Sequence, residues 1–195
     1  MRKNQQKQWA FAKQSPSQVR IIGGSMRGRK ISFVEGEGLR PTLDRVRETV
    51  FNWLAADIAG ATCLDLYAGS GALGIEAVSR GSSATTLVDS SIKVCQSLTE
   101  NLKALDISNA EVCNLSAEQF LLNNTKQFDI VFLDPPFGKG LLKEILEKLK
   151  PHLTKNAVVY VEQENEKSTY VFSEEWELIK SKKTSSFLYE LIRLN

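Results

Sequence analysis

Histidine is nearly absent from this 195-residue chain. The single one, His152, follows Pro151 at the end of a helix-like run, with no acid or nucleophile near it in sequence, so imidazole-based catalysis is not expected. Cysteine is scarce as well: there are 3, Cys63, Cys95 and Cys113, widely spaced and odd in number. They make no disulfide framework, and no close Cys/His pair begins a zinc site, so no metal is expected. Long apolar runs are missing; none approaches the roughly 20 residues of a membrane span. The first 18 residues are polar and basic without an apolar centre, so a secretory signal is not expected. A reducing, cytoplasmic setting without a membrane partner is the expectation that follows.

What is present is ordinary in amount but uneven in placement. Hydrophobic residues make up 42% and charged residues 25% of the chain, enough for one substantial core with a small appendage. The net charge of +2 hides an asymmetry. Residues 1–50 carry 11 Lys/Arg against 4 Asp/Glu, net +7, and residues 51–195 carry 14 against 19, net −5. A basic N-terminal part on a mildly acidic body points to a polyanionic partner, nucleic acid above all. Arg27, Arg29 and Lys30 are candidate phosphate contacts. Arg40, Arg45 and Arg47 are candidates too, although they fit equally a cofactor pocket or the solvent side of a helix.

Residues 1–17 read as a disordered tail rich in Lys, Gln and Asn. Residues 18–40 read as a basic hairpin or arm, with Arg20-Ile21-Ile22 and Lys30-Ile31-Ser32-Phe33 around a glycine-rich link. Residues 41–195 read as the main domain. It opens with a helix begun by Pro41-Thr42, with Val46, Val50, Phe51, Trp53 and Leu54 on its apolar face and Arg45, Arg47 and Glu48 off it. Strands near 62–67, 84–88, 110–113, 128–133 and 157–162 alternate with helices near 72–80, 91–105, 116–123 and 141–150. Such alternation predicts an α/β fold, a doubly wound and mostly parallel sheet. Trp176–Lys180 and Ser186–Arg193 have no helix between them, and a terminal hairpin would add one antiparallel strand. Lys180-Ser181-Lys182-Lys183 falls in the predicted turn of that hairpin.

Two motifs carry chemistry. Thr62–Tyr67 reads as a strand, followed by Ala68-Gly69-Ser70-Gly71-Ala72-Leu73-Gly74 and a helix. A glycine loop between strand and helix lets backbone approach a ligand beside free helix N–H groups. Asp89 ends the next strand, 20 residues after Gly69, where an acid that holds ribose hydroxyls is expected. The second motif is Asp134-Pro135-Pro136-Phe137, after the apolar run Phe128–Leu133. Two prolines end the strand and stiffen the turn. One carboxylate, one prolyl carbonyl and one aromatic face then stand in fixed relation, which suits a planar ring bearing an exocyclic amine. Taken alone, the turn equally fits a plain strand stop with a packing Phe. With Asp65, Gly69, Asp89 and Asp134 all at carboxyl ends of predicted strands, one crevice would gather them.

These residues resemble a class I S-adenosylmethionine-dependent amino-group methyltransferase. Arg20-Ile21-Ile22-Gly23-Gly24, Arg27-Gly28-Arg29-Lys30 and the run from Arg40-Pro41-Thr42 to Trp53-Leu54 narrow the likeness to the RsmD family, bacterial 16S ribosomal RNA guanine-N2 methyltransferases. The resemblance covers roughly residues 18–195. It implies a Rossmann-like fold and S-adenosylmethionine as cofactor. Asp65, Gly69, Ser70 and Gly71 would cradle the cofactor, and Asp89 would bind its ribose. Ser116 and the N–H of Ala117 would stand where the family reads adenine. Asp134 and the Pro135 carbonyl would hold the target amine, with Phe137 stacked on the base. It also implies 16S RNA in a partly assembled small subunit as partner; no obligate protein partner is evident. Rival readings are an amino-methyltransferase acting on adenine N6, a nicotinamide-dependent dehydrogenase, and a non-catalytic RNA-binding protein.

Overall fold

The computed structural model describes residues 17–33, 44–136, 141–164 and 170–195. The expected tail up to residue 16, the helix start at Pro41-Thr42, Arg40 and Phe137 lie outside the described residues. In chain order the strands are β1 Ser17–Arg20, β2 Lys30–Phe33, β3 Thr62–Asp65, β4 Ala84–Asp89, β5 Ala110–Asn114, β6 Phe128–Leu133, β7 Leu153–Glu164, β8 Trp176–Lys183 and β9 Phe187–Leu194. The helices are α1 Asp44–Trp53, α2 Ala72–Ser79, α3 Ile92–Ala104, α4 Ala117–Asn123 and α5 Leu142–Leu149.

Seven strands form one sheet in the order β5-β4-β3-β6-β7-β9-β8. All neighbours from β5 to β7 pair in parallel, and β9 alone runs against both its neighbours. The reason is local. Only a short turn joins β8 to β9, which a hairpin allows and a parallel crossover does not. The Thr184 hydroxyl makes that turn by accepting the N–H groups of Ser186 and Phe187, at 3.2 and 2.9 Å. The turn therefore lies after the lysines: Lys180, Lys182 and Lys183 belong to β8, not to the turn predicted for them.

The central strands are apolar on both faces, as helix-covered parallel strands must be. Leu64, Val88, Val131, Leu133, Val159 and Val161 pack under α4 and α5. Cys63, Ile130, Phe132, Tyr160 and Leu191 pack on the other face under α1 and α2. At the amino ends, the Asp129 carboxylate accepts from Thr62 N–H, the Thr62 hydroxyl and the Thr154 hydroxyl at 2.7–2.8 Å, locking β3, β6 and β7 in register.

A lone two-stranded hairpin is marginal in water. The β1–β2 pair is held because Val19, Ile21, Ile31 and Phe33 bury against α2 and α3. Polar contacts add to this. Asn101 of α3 bonds both the N–H and the carbonyl of Ser32, at 3.0 and 2.7 Å. The Glu76 carboxylate of α2 accepts the N–H groups of Ile22 and Gly23, each at 2.8 Å. β1 ends at Arg20: Ile21 still exchanges backbone bonds with Arg29 and Gly28, at 2.9 and 2.8 Å, and Ile22, expected in the strand, turns to Glu76 instead. Gly24 turns here with φ 76°, and a Cβ on it would lie 1.8 Å from the Ser79 carbonyl oxygen.

Candidate active site

Parallel pairing brings the carboxyl ends of β3, β4 and β6 to one rim of the sheet. β3 ends at Asp65, and the chain then bends through Tyr67–Gly71 into α2. Gly69 and Gly71 have φ of 50° and 78°, a region that side-chain-bearing residues avoid. A Cβ on Gly71 would also meet Leu98 at 2.6 Å. The bend is fixed by acids on either side. Asp89 Oδ2 accepts the Gly69 N–H at 3.1 Å, and Asp65 Oδ2 accepts the Gly74 N–H at 2.9 Å. Asp89 Oδ1 takes Ser91 N–H at 2.8 Å, so Asp89 already organises the loop that it borders.

Asp65 is buried, and burial pushes its carboxyl up from 3.8 to about 7; the Asp89 charge adds to this, while N–H groups of Gly74 and Tyr67 pull the other way. In the folded chain the group keeps its proton to about pH 7, whereas an unfolded chain releases it near 3.8. Its contribution to stability is therefore full below about pH 4 and is lost as pH rises through about 7. Asp65→Asn keeps an acceptor for Gly74 and removes the titration. The cofactor-free variant is expected to exceed its parent in stability at pH 8, on the order of 4 kcal/mol, with the gap closing in acid. Urea titrations at the two pH values measure this; a variant weaker than its parent at pH 8 would count against it.

Asp134 follows β6 on the same rim. It is half-buried, and no described residue donates a hydrogen bond to its carboxylate. Its carboxyl is held well above the ordinary 3.8, first by the enclosing protein, then by the Glu162 charge, then by that of Asp65. Pro135 is buried and Pro136 exposed. Glu162, which the motifs did not single out, lies on β7 beside Asp134: Leu133 pairs with Val161, so the next two residues are neighbours on one face.

The other candidates separate. Ser70 is buried in the loop. Ser116 is the N-cap of α4 in a capping box: its hydroxyl accepts Gln119 N–H, and Gln119 Oε1 accepts Ser116 N–H, both at 3.2 Å. The hydroxyl expected at an adenine amine also caps its own helix, and Ala117 is buried. The rim instead offers apolar cover not foreseen from the motifs. Ile92 is 62% exposed and Leu115 36% exposed, just past the paired strand ends Asp89 and Asn114. Exposed apolar residues at two adjacent strand ends were the available signal. Arg47 is corrected outright. Its guanidinium is fully buried and bonds Asp44 at 2.6 Å, the Arg20 carbonyl at 2.8 Å and Glu76 at 3.5 Å, so it is not presented to an outside anion. Arg29 donates to the Ala104 and Leu105 carbonyls at 2.7 and 3.1 Å, capping the end of α3. Arg27, Lys30 and Arg45 are exposed.

A cavity of about 430 Å³ opens at the opposite rim, among the amino ends of β3 to β6, lined by Thr62, Thr86, Asn109, Glu111 and Lys126. Its side chains include a closed Glu111–Lys126 ion pair, and Asp65, Asp89 and Asp134 are not among its lining.

The acid set at the glycine loop suits a cationic ligand. Asp65 and Asp134 are both raised in part by like charges around them, and a positive centre between them would relieve that repulsion. A sulfonium has that charge, and the glycine bend admits a close ligand. No group of three or more His, Cys, Asp or Glu that could hold a metal occurs among the described residues.

The model of the family described as "Conserved hypothetical protein 95" matches residues 19–193. Ribosomal RNA small subunit methyltransferase D of Escherichia coli (strain K12) is 46% identical over 176 residues, 89% of each chain. The protein of that name from Haemophilus influenzae is 44% identical over 180 residues, 89% of this chain and 93% of its own. A solved structure of a putative methyltransferase from Escherichia coli superposes with a TM-score of 0.84 at 45% identity, covering 91% of this chain and 98% of that one. With the glycine bend, Asp89 and Asp134 on one rim of a Rossmann-like sheet, the chain belongs to the RsmD family of ribosomal RNA small subunit methyltransferases.

Proposed function

We propose that this enzyme transfers a methyl group from S-adenosylmethionine to the exocyclic N2 of one guanine in 16S ribosomal RNA. The observation that carries the reading is Asp134: a half-buried carboxylate without a donor among the described residues, on the rim that holds the glycine bend. The cofactor supplies an electrophilic methyl on a sulfonium. Gly69, Ser70 and Gly71 would hold it, with Asp89 at its ribose and Ile92 and Leu115 beside its purine ring.

Guanine N2 is a poor nucleophile, because its lone pair is delocalised into the ring. The protein's work is alignment and charge handling. Alignment of amine and methyl carbon removes entropy from the barrier, worth ~7–11 kcal/mol at best. Asp134 and the Pro135 carbonyl would accept the amine hydrogens, aim the lone pair and stabilise the positive charge that grows on N2. The amine becomes acidic once methylated and sheds its proton afterwards, so a strong base is not required. Phe137 would stack on a base drawn out of its own stack.

The substrate is a partly assembled small subunit, in the cytoplasm where ribosomes are built. Arg27, Lys30 and Arg45 would contact phosphates. Replacing Arg27 and Lys30 by Gln is expected to lower RNA affinity and reduce the slope of log K against log salt by about 1.4 to 1.8 units for two contacts. Filter binding at several salt concentrations measures it; an unchanged slope removes these residues from the interface.

The function itself is tested by methyl transfer to 16S RNA from cells lacking the enzyme, as naked RNA and as subunits, followed by nucleoside mass spectrometry. N2-methylguanosine, formed faster on subunits, is the expected product. N6-methyladenosine would establish the adenine alternative, and no transfer at all would refute both.

A further inference from the structure

We propose that Glu162 is a base-reading residue, accepting the N1–H of the target guanine while Asp134 accepts the neighbouring N2–H. This rests on the guanine-N2 reading above.

The placement follows from the sheet. Leu133 pairs with Val161 in the parallel β6–β7 ladder, so Asp134 and Glu162 are the next cross-strand neighbours. In-register neighbours share a face, here the α1 face, since Phe132 and Tyr160 two residues earlier both pack under α1. Strands lie about 4.8 Å apart, so two carboxylates at adjacent strand ends can converge on one small ligand. Glu162 is held in place: it is buried, and the Tyr160 hydroxyl donates to its Oε1 at 2.6 Å. Tyr189, paired with Glu162 on β9, stacks on Trp53 with ring centroids 5.4 Å apart and walls the far side.

The chemistry separates the purines. Asp134 alone accepts an amine hydrogen from guanine N2 or from adenine N6 and cannot tell them apart. Guanine carries a second donor, N1–H, beside its amine. Adenine carries an acceptor, N1, at that place. A second carboxylate therefore attracts guanine and repels adenine. Enzymes read an extruded base along this edge, and a site built to receive a particular hydrogen strongly rejects analogues that lack it. The Glu162 charge contributes to the upward displacement of the Asp134 carboxyl, as two acids facing one small site would.

The test uses the whole enzyme and an RNA substrate in which the methylated guanine, located first by nucleoside mapping, is kept or replaced by 2-aminopurine. That base retains the N2 amine and has a bare acceptor at N1. The wild-type enzyme is expected to prefer guanine by about 10- to 100-fold in kcat/KM, the range of one hydrogen bond to a charged group. In Glu162→Gln the amide can still accept from Tyr160 and then presents N–H to the base. Its preference should collapse by about 10-fold or more, with cofactor affinity by calorimetry unchanged. Glu162→Asp, which keeps the carboxylate, should be slower yet still prefer guanine. A Glu162→Gln enzyme with the wild-type preference overturns the proposal, and so does a wild-type enzyme with none. If Glu162→Gln loses cofactor binding through misfolding, the wild-type preference and Glu162→Asp decide. Failure of the underlying reading looks different: the wild-type enzyme then puts no methyl on N2 of any guanine.

Discussion

Asp134→Ala is expected to lower kcat by about two to three orders of magnitude, the loss seen when one preorganised polar group is removed from a charged transition state. Cofactor affinity should stay close to that of the parent, because the glycine bend is held by Asp65 and Asp89, not by Asp134. RNA affinity should change little, since most of it comes from phosphate contacts. Asp134→Asn keeps one acceptor oxygen and loses the charge, so it should fall between the two. The pH dependence carries the same signature. Protonated Asp134 cannot stabilise positive charge on N2, and its carboxyl sits well above the usual range. Wild-type kcat should therefore decline on the acid side as Asp134 takes up a proton, and that limb should vanish from the residual activity of Asp134→Ala. Steady-state kinetics at saturating cofactor, with calorimetry beside them, read both effects. Near-normal turnover by Asp134→Ala would remove this residue from the chemistry.

The rim was legible in the sequence because strand ends announce themselves. An apolar run stopped by Pro135-Pro136, or by a glycine pair, marks where a parallel strand leaves the sheet, and the acids at those stops are fixed by register. The α/β order was legible for the same reason: periodicity and breakers are local signals. Partnership between distant side chains is not local. Arg47 was set on the solvent side of its helix by its charge, yet its spacing to Phe51 and Leu54, four and seven residues on, already puts it on the buried stripe. The answering signal was Glu76, an acid in the apolar run Ala72–Val78. Ser116 carries a second signal: a Ser three residues before Gln119 is a capping signature, and the hydroxyl does cap its helix. Glu162 had no motif around it; only the β6–β7 register brings it to Asp134.

Glu76→Gln is expected to be the most damaging conservative change outside the chemistry. Both Glu76 and Arg47 side chains are wholly buried. Glu76 accepts from Ile22 N–H, Gly23 N–H and Arg80 Nε, each at 2.8 Å, and from Arg47 at 3.5 Å. Every partner is a donor, so an amide at this position turns its own N–H group towards at least one of them. The buried Arg47 also loses its buried counter-charge, while its bonds to exposed Asp44 and to the Arg20 carbonyl remain. Breaking one side of a buried pair costs roughly 3–5 kcal/mol. For a chain of this size that lowers Tm by roughly 6–20 °C. The damage should be directional: amide exchange at Ile22 and Gly23 should speed up more than exchange in β6 or β7, because one of those N–H groups loses its acceptor. Arg47→Met combined with Glu76→Gln should cost less than the sum of the single changes, since the second substitution removes a charge the first left stranded. A Glu76→Gln Tm within about 2 °C of the parent would mean that the ion cluster contributes under ~1 kcal/mol net. The hairpin would then rest on Val19, Ile21, Ile31 and Phe33 and on the Asn101 bonds to Ser32. If the loss appears as expected, one acid on the helix after the glycine bend also sets the position of Arg27 and Lys30, and RNA affinity should fall with it while cofactor affinity is spared.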